Sequence, residues 1–122
     1  MSNSVQAAVA RLHWQSLLRL YGEKVTYTRG DLSIELTAVP AKPRARQVSA
    51  GEQSVISSKQ LDWLIAPGDL VDGVTEIEPK RGDKIVRASG ESCRVSPADG
   101  GDDVWRWGDA CNTWRRVQSE EK

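Results

Sequence analysis

The stretch from Leu61 to Val86, LDWLIAPGDLVDGVTEIEPKRGDKIV, is broken twice by sharp turns. An apolar run of Leu61, Trp63, Leu64 and Ile65 meets Pro67-Gly68. Val71, Val74 and Ile77 follow, and Pro79-Lys80-Arg81-Gly82-Asp83 then delivers a short apolar strand at Ile85-Val86. Proline lacks an N–H and fixes φ, while glycine tolerates backbone angles that other residues avoid, so each pair interrupts regular structure. Turns this closely spaced exclude a long helix here. They predict a small sheet whose strands reverse direction.

The flanking segments supply further strands. From Lys24 to Arg29, Val25 and Tyr27 alternate with Thr26 and Thr28; Ile34, Leu36 and Ala38 then alternate with Ser33, Glu35 and Thr37. A period of two on both sides of Arg29-Gly30-Asp31 predicts a hairpin. Lys84 to Ala88 and Ser92 to Ser96, joined at Ser89-Gly90-Glu91, predict a second hairpin. Val104-Trp105-Arg106-Trp107 puts both tryptophans on one face when extended, and Asn112 to Val117 closes a β-rich body of about 24–117. The tail, 118–122, is expected to fray. The triplets at 29–31 and 81–83 both spell Arg-Gly-Asp, an integrin-binding tripeptide. Without a secretory signal they read as turns, with glycine giving backbone freedom and aspartate local hydrogen bonds.

Ahead of the sheet, Ser4 to Tyr21 contains neither glycine nor proline. Asn3 and Gln6 fit a capping box and Gly22 a stop, which predicts a helix over about 4–21. Its apolar residues form two stripes. Val5, Ala8, Val9 and Leu12 lie together; Ala10, Trp14, Leu17 and Tyr21 lie further round, with Leu18 beside them. That is broader than one core-facing stripe requires. Either the helix sits in a deep groove of its own domain, or one stripe packs on the sheet and the other on a neighbouring subunit.

Between the first hairpin and the central stretch, Pro40 to Gln47 reads PAKPRARQ, and Ser49 to Ser58 is mostly small and polar. A mobile loop over about 40–59 is expected, and long excursions of this kind are commonly functional. Alternation puts Lys42, Arg44 and Arg46 on one side of an extended segment. They form either a solvated loop or a basic patch for a nucleic-acid backbone or an acidic partner. Three charges without interleaved aromatics are a weak nucleic-acid signal.

A chain of 122 residues, 39% hydrophobic and 28% charged, fits one soluble domain spanning 1–122. Seventeen basic residues balance seventeen acidic ones, which argues against a general DNA coat. No run approaches the length needed to cross a bilayer, so no membrane partner is expected. The start, MSNSVQAAVARLHW, lacks the order of a secretory signal, which points to the cytoplasm or a site of particle assembly. Cys93 and Cys111 are too few for a disulfide scaffold. They read as reduced small hydrophobes or as one cross-strand bridge.

His13 is the only histidine and no CxxC spacing occurs, so structural zinc is not expected. The acidic, glycine-rich run 97–103 departs from EF-hand spacing. GxGxxG, P-loop, HExxH and serine-elbow motifs are all missing. No enzyme activity, cofactor or metal is expected. Tryptophans beside arginines, at 105–107 and 114–116, are either a nucleobase platform or ordinary core and interface residues.

The order YGEKVTYTRG, SSKQLDWLIAPGDLV, EPKRGDKIV, SCRVSP and terminal WRWGDACNTWRRV resembles the small head-tail joining proteins of tailed bacteriophages and prophages, over roughly Tyr21 to Val117. Cys93 departs from that pattern, standing where a tyrosine-like residue is usual. The resemblance implies a structural protein of the virion neck, assembled in the host cytoplasm. Its fold would be a small, partly open or closed antiparallel β-barrel with an N-terminal helix and a long polar loop. It would act as connector or stopper, forming a ring with itself. Portal or adaptor proteins would lie on the head side and tail proteins on the other, with transient contact to packaged DNA. On this chain Trp14, Leu17 and Tyr21 would then meet a ring neighbour, and Lys42, Arg44 and Arg46 would face the channel or grasp a partner. The same grammar also serves a tail terminator or a small tail or baseplate component. A cellular module binding nucleic acid or protein is the reading from a different class.

Overall fold

The computed structural model describes residues 4–42, 60–97 and 103–121. One helix, α1 (Ser4–Tyr21), leads into the paired strands β1 (Glu23–Arg29) and β2 (Leu32–Ala41). Then follow β3 (Gln60–Ile65), a 3-10 turn at Pro67–Asp69, and a two-residue hairpin of β4 (Val71–Asp72) and β5 (Thr75–Glu76). The remaining strands are β6 (Lys84–Arg87), β7 (Ser92–Val95), β8 (Trp105–Trp107) and β9 (Arg115–Glu121).

All pairings are antiparallel, in the order β3-β2-β1-β6-β7-β9, and β9 returns to β3 to close a six-stranded barrel. β8 is an extra outer strand on β9. Along one side of β9 its two neighbours divide the length: β8 takes Arg115 to Val117 and β7 takes Ser119 to Glu121.

Period-two alternation decides what fills the barrel. Val25 and Tyr27, Leu36 and Ala38, Trp63 and Ile65, Cys93 and Val95, with Ile85 and Val117, form one buried cluster. Leu70 and Val104 join it from the connections. A second cluster lies outside the sheet, where Trp14 meets Val39, Leu64 and Trp114. This explains two runs that break alternation. Val39 and Leu64 point away from the interior, yet both are buried because α1 covers them.

The two expected hairpins and the helix are present. The expected fraying of 118–122 is corrected for 118–121, since β9 continues through Glu121 and Ser119 is buried, while Lys122 lies outside the described residues. There the backbone pairs with β3 and β7 at once, so hydrogen bonding rather than side-chain volume holds it. At the start of the expected loop, Pro40 and Ala41 belong to β2 and pair with Trp63 and Asp62. Residues 43–59, which carry the rest of that loop, lie outside the described residues, as do 98–102. Cys93 is buried and Cys111 exposed, both as free thiols. Burial pushes the Cys93 thiol up from its ordinary value.

Candidate functional site: a two-faced helix and the two ends of the barrel

The platform for α1 is built by the seven-residue turn GDACNTW, Gly108 to Trp114. Asp109 Oδ1 accepts from the N–H of Thr113 at 2.7 Å and of Trp114 at 3.3 Å. Gly108 N–H donates to the Trp114 carbonyl at 2.9 Å. A side chain at position 108 would begin 2.3 Å from Trp114 Nε1, so only glycine lets the indole lie down there. Burial opposes charge on Asp109, but hydrogen bonds from Thr113 and from the N–H groups of Thr113, Trp114 and Cys111 outweigh it and hold the carboxyl low.

Trp14 stacks on Trp114 with ring centroids 5.5 Å apart and planes 17° from parallel; His13 meets the same indole edge-on at 5.6 Å. Leu17 and Leu18 pack beside them. Trp14 is left with 7% of its surface exposed, so it and Leu17 face the barrel rather than outward. Tyr21, the third residue of the expected ring interface, is 61% exposed. Val5, Val9, Leu12 and Leu20 are each more than half exposed. At 3.6 residues per turn these four share one stripe on the side of α1 away from Trp14. The helix is therefore apolar on both sides, and only one side is covered among the described residues.

At one end of the barrel, Lys42 and Gln60 flank residues 43–59. Lys42 is exposed there, whereas Arg44 and Arg46 lie outside the described residues. The mouth is held by Arg87. Its Nε and Nη2 contact Glu23 at 2.7 and 2.8 Å, and its Nη1 lies 3.7 Å from Glu91 and 3.8 Å from Glu121. The guanidinium also sits 5.5 Å over the Trp63 ring. Three carboxylates thus converge on one cation.

The opposite end is closed by the two Arg-Gly-Asp triplets acting on one another. Arg29 of the first donates to Asp83 of the second at 2.9 and 2.8 Å and to the Glu78 carbonyl at 2.6 Å. The Tyr27 hydroxyl donates to Asp83 as well, and Lys80 N–H does so at 3.0 Å. Burial pushes the Tyr27 hydroxyl well above its ordinary value, with the Asp83 carboxylate adding to the rise. Both triplets are turns, with φ of +58° at Gly30 and +95° at Gly82.

Beside them Arg115, 3% exposed, lies 4.5 Å from the Trp105 ring centre and 5.4 Å from that of Trp107. It donates to the Ile77 carbonyl and to Glu76, each at 2.9 Å. Trp105 and Trp107 share a face, as alternation predicts, with centroids 5.3 Å apart. Sequence reasoning missed both this cage and the Gly108–Asp109 platform. Their signals were a glycine and an aspartate just before a tryptophan, and an arginine placed opposite the WRW strand.

Among the described residues no group of three or more His, Cys, Asp or Glu is placed to hold a metal ion, and no helix is long and apolar enough to cross a membrane. The molecule is a closed small antiparallel barrel carrying one helix, with polar networks at both ends and an apolar helix face that nothing among the described residues covers. The family model described as phage head-tail joining protein matches residues 3–122, and this chain belongs to that family. Its general role is therefore structural, in phage head-tail joining. Searches of curated proteins and of solved structures return no match.

Proposed function

We propose that this protein works in the virion neck as a ring-forming connector or stopper between the portal or adaptor proteins and the tail, and helps to retain packaged DNA. The observation that carries this reading is the double-sided helix. A free monomer gains nothing from exposing Val5, Val9, Leu12 and Leu20 along one stripe, whereas a subunit with a neighbour buries them. In a ring each copy repeats one head-to-tail contact until the rotation closes, and avidity makes modest contacts firm. Tyr21 lies on the Trp14 side of the helix, in its last turn, and is exposed as a further contact for a neighbour. In this arrangement Lys42, with Arg44 and Arg46 beyond it, approaches the channel or an acidic partner surface.

Electron microscopy of particles made without the gene, beside a complemented control, tests the placement. Heads that have lost DNA and tails left unjoined are expected. Tails of abnormal length or ending would instead favour a tail terminator, and normal infectious particles would overturn both readings.

A further inference from the structure

We propose that the free edge of β8 is a strand-addition site that takes an extended, acidic segment of another protein. The barrel closes through β3 and β9, so its six strands pair on both sides; β8 is paired with β9 alone. The register fixes what the other edge offers. Gln118 N–H donates to the Val104 carbonyl at 2.8 Å and Gly108 N–H to the Trp114 carbonyl at 2.9 Å, so residues 104, 106 and 108 direct their polar groups to β9. In an antiparallel ladder the intervening residues point theirs the opposite way. Trp105 and Trp107 therefore present two donors and two acceptors outward, and no strand among the described residues receives them. Such a row is a template for an incoming strand.

The edge opens on a groove of about 570 Å³ between Val104–Trp107 and the Glu78–Arg81 turn. Lys80, Arg81 and Arg106 line it against Glu78 and Asp103, three cations to two carboxylates. None of the three cations has an ion-pair partner among the described residues, while the adjacent Arg29 and Arg115 are already engaged by Asp83 and Glu76. An edge of three residues offers few hydrogen bonds by itself. Acidic side chains at alternate positions of the incoming strand supply the remaining affinity and the selectivity. This site does not depend on the ring reading, because it uses β8 and leaves α1 untouched.

The test titrates the nitrogen-15-labelled full chain with an acetylated octapeptide of alternating Glu and Thr. Its Lys-Thr counterpart and an oligothymidine of equal length are run in parallel. The Glu-Thr peptide is expected to bind saturably and to slow exchange of the Trp105 and Trp107 amides, leaving Arg106 unchanged because it already sits in the β9 ladder. The Lys-Thr peptide should bind at least about tenfold more weakly, a difference of roughly 1.4 kcal/mol. Trp107→Pro removes one outward donor without touching the β9 ladder and should abolish binding with the fold intact. Should that variant fail to fold, the triple change K80E/R81E/R106E is expected to reverse the preference between the peptides. Trp105 and Trp107 amides already protected in the free chain would overturn the proposal. So would equal affinity for both peptides, saturable binding of the oligonucleotide alone, or no saturable binding of the Glu-Thr peptide at millimolar concentration.

Discussion

Asp83 is 4% exposed and is held by Arg29, the Tyr27 hydroxyl and the Lys80 N–H. Burial by itself would raise its carboxyl above the ordinary value, but these three partners outweigh it and the carboxyl is held low. Replacing Asp83 with Asn keeps the shape and removes the charge, leaving Arg29 without its carboxylate. Breaking a buried ion pair costs about 3–5 kcal/mol, and the lower end applies because Arg29 reaches solvent. Urea titration at neutral pH should therefore show Asp83→Asn less stable by about 3 kcal/mol. The sign with pH follows from the direction of the shift. The folded state prefers the ionised carboxylate more than the unfolded chain does, so this stability is complete above the unfolded value of about 4 and is lost as pH falls through the lowered one. The gap between native protein and variant should hold from pH 7 to about pH 5 and close in more acid solution. A gap that widens in acid would show that Asp83 is not ionised in the fold. Gly108 gives a second residue-scale prediction. Gly108→Ala drives a methyl into the Trp114 indole, and near-ultraviolet circular dichroism should register the loss of the Trp14–Trp114 stack.

At the scale of elements, α1 sets two apolar faces against each other, and they answer to different measurements. Trp14→Ala empties a covered site against Trp114, Val39 and Leu64, and should cost about 3–5 kcal/mol of folding stability. Leu12→Glu alters an exposed position and should leave stability within about 0.5 kcal/mol, while blocking incorporation into particles. If Leu12→Glu assembles normally, the outward stripe is not the ring contact. The helix was legible in the sequence because its length is free of glycine and proline, and so were its two stripes. Which stripe turned inward was not, since periodicity gives the angle between faces but not the surface that meets them. That surface depends on Trp114, which is far off in sequence and is aimed by Gly108 and Asp109. The hairpins were legible for the opposite reason: β1 with β2, and β6 with β7, are neighbours in sequence, and their alternation carries the whole signal. β9 was not. Its inward positions include Val117 and Ser119, too little volume to announce a core strand, and Trp63 on the facing strand fills the space instead.

For the whole molecule, closure depends on those last residues. β3 pairs with β9 from Gln60↔Glu120 to Ile65↔Arg115, and β7 pairs only with its far end, Cys93↔Glu121 to Val95↔Ser119. Removing 118–122 would leave half of β3 and the entire outer side of β7 without partners. It would also take away the Ser119 hydroxyl that donates to the Leu61 carbonyl at 2.6 Å, and the Glu121 carboxylate near Arg87. Each buried backbone group deprived of a partner costs about 1–3 kcal/mol, and small domains hold only about 5–15 kcal/mol in total. A chain ending at Val117 is therefore expected to lose cooperative unfolding, to lose its tryptophan near-ultraviolet signal, and to bind a hydrophobic dye through the exposed Trp63 and Cys93 edges. A frayed tail would give the contrary result, a truncated protein that melts within a degree or two of the native one. The same geometry bears on folding. The β3–β9 seam joins residues fifty to sixty positions apart, so the barrel cannot close until the end of the chain has found the middle. Until then the unpaired edge of β3 is open to other chains. Weakening the seam without deleting it, as in Ser119→Ala, should slow refolding in stopped-flow fluorescence if closure is part of the transition state. It should speed unfolding alone if the seam forms afterwards.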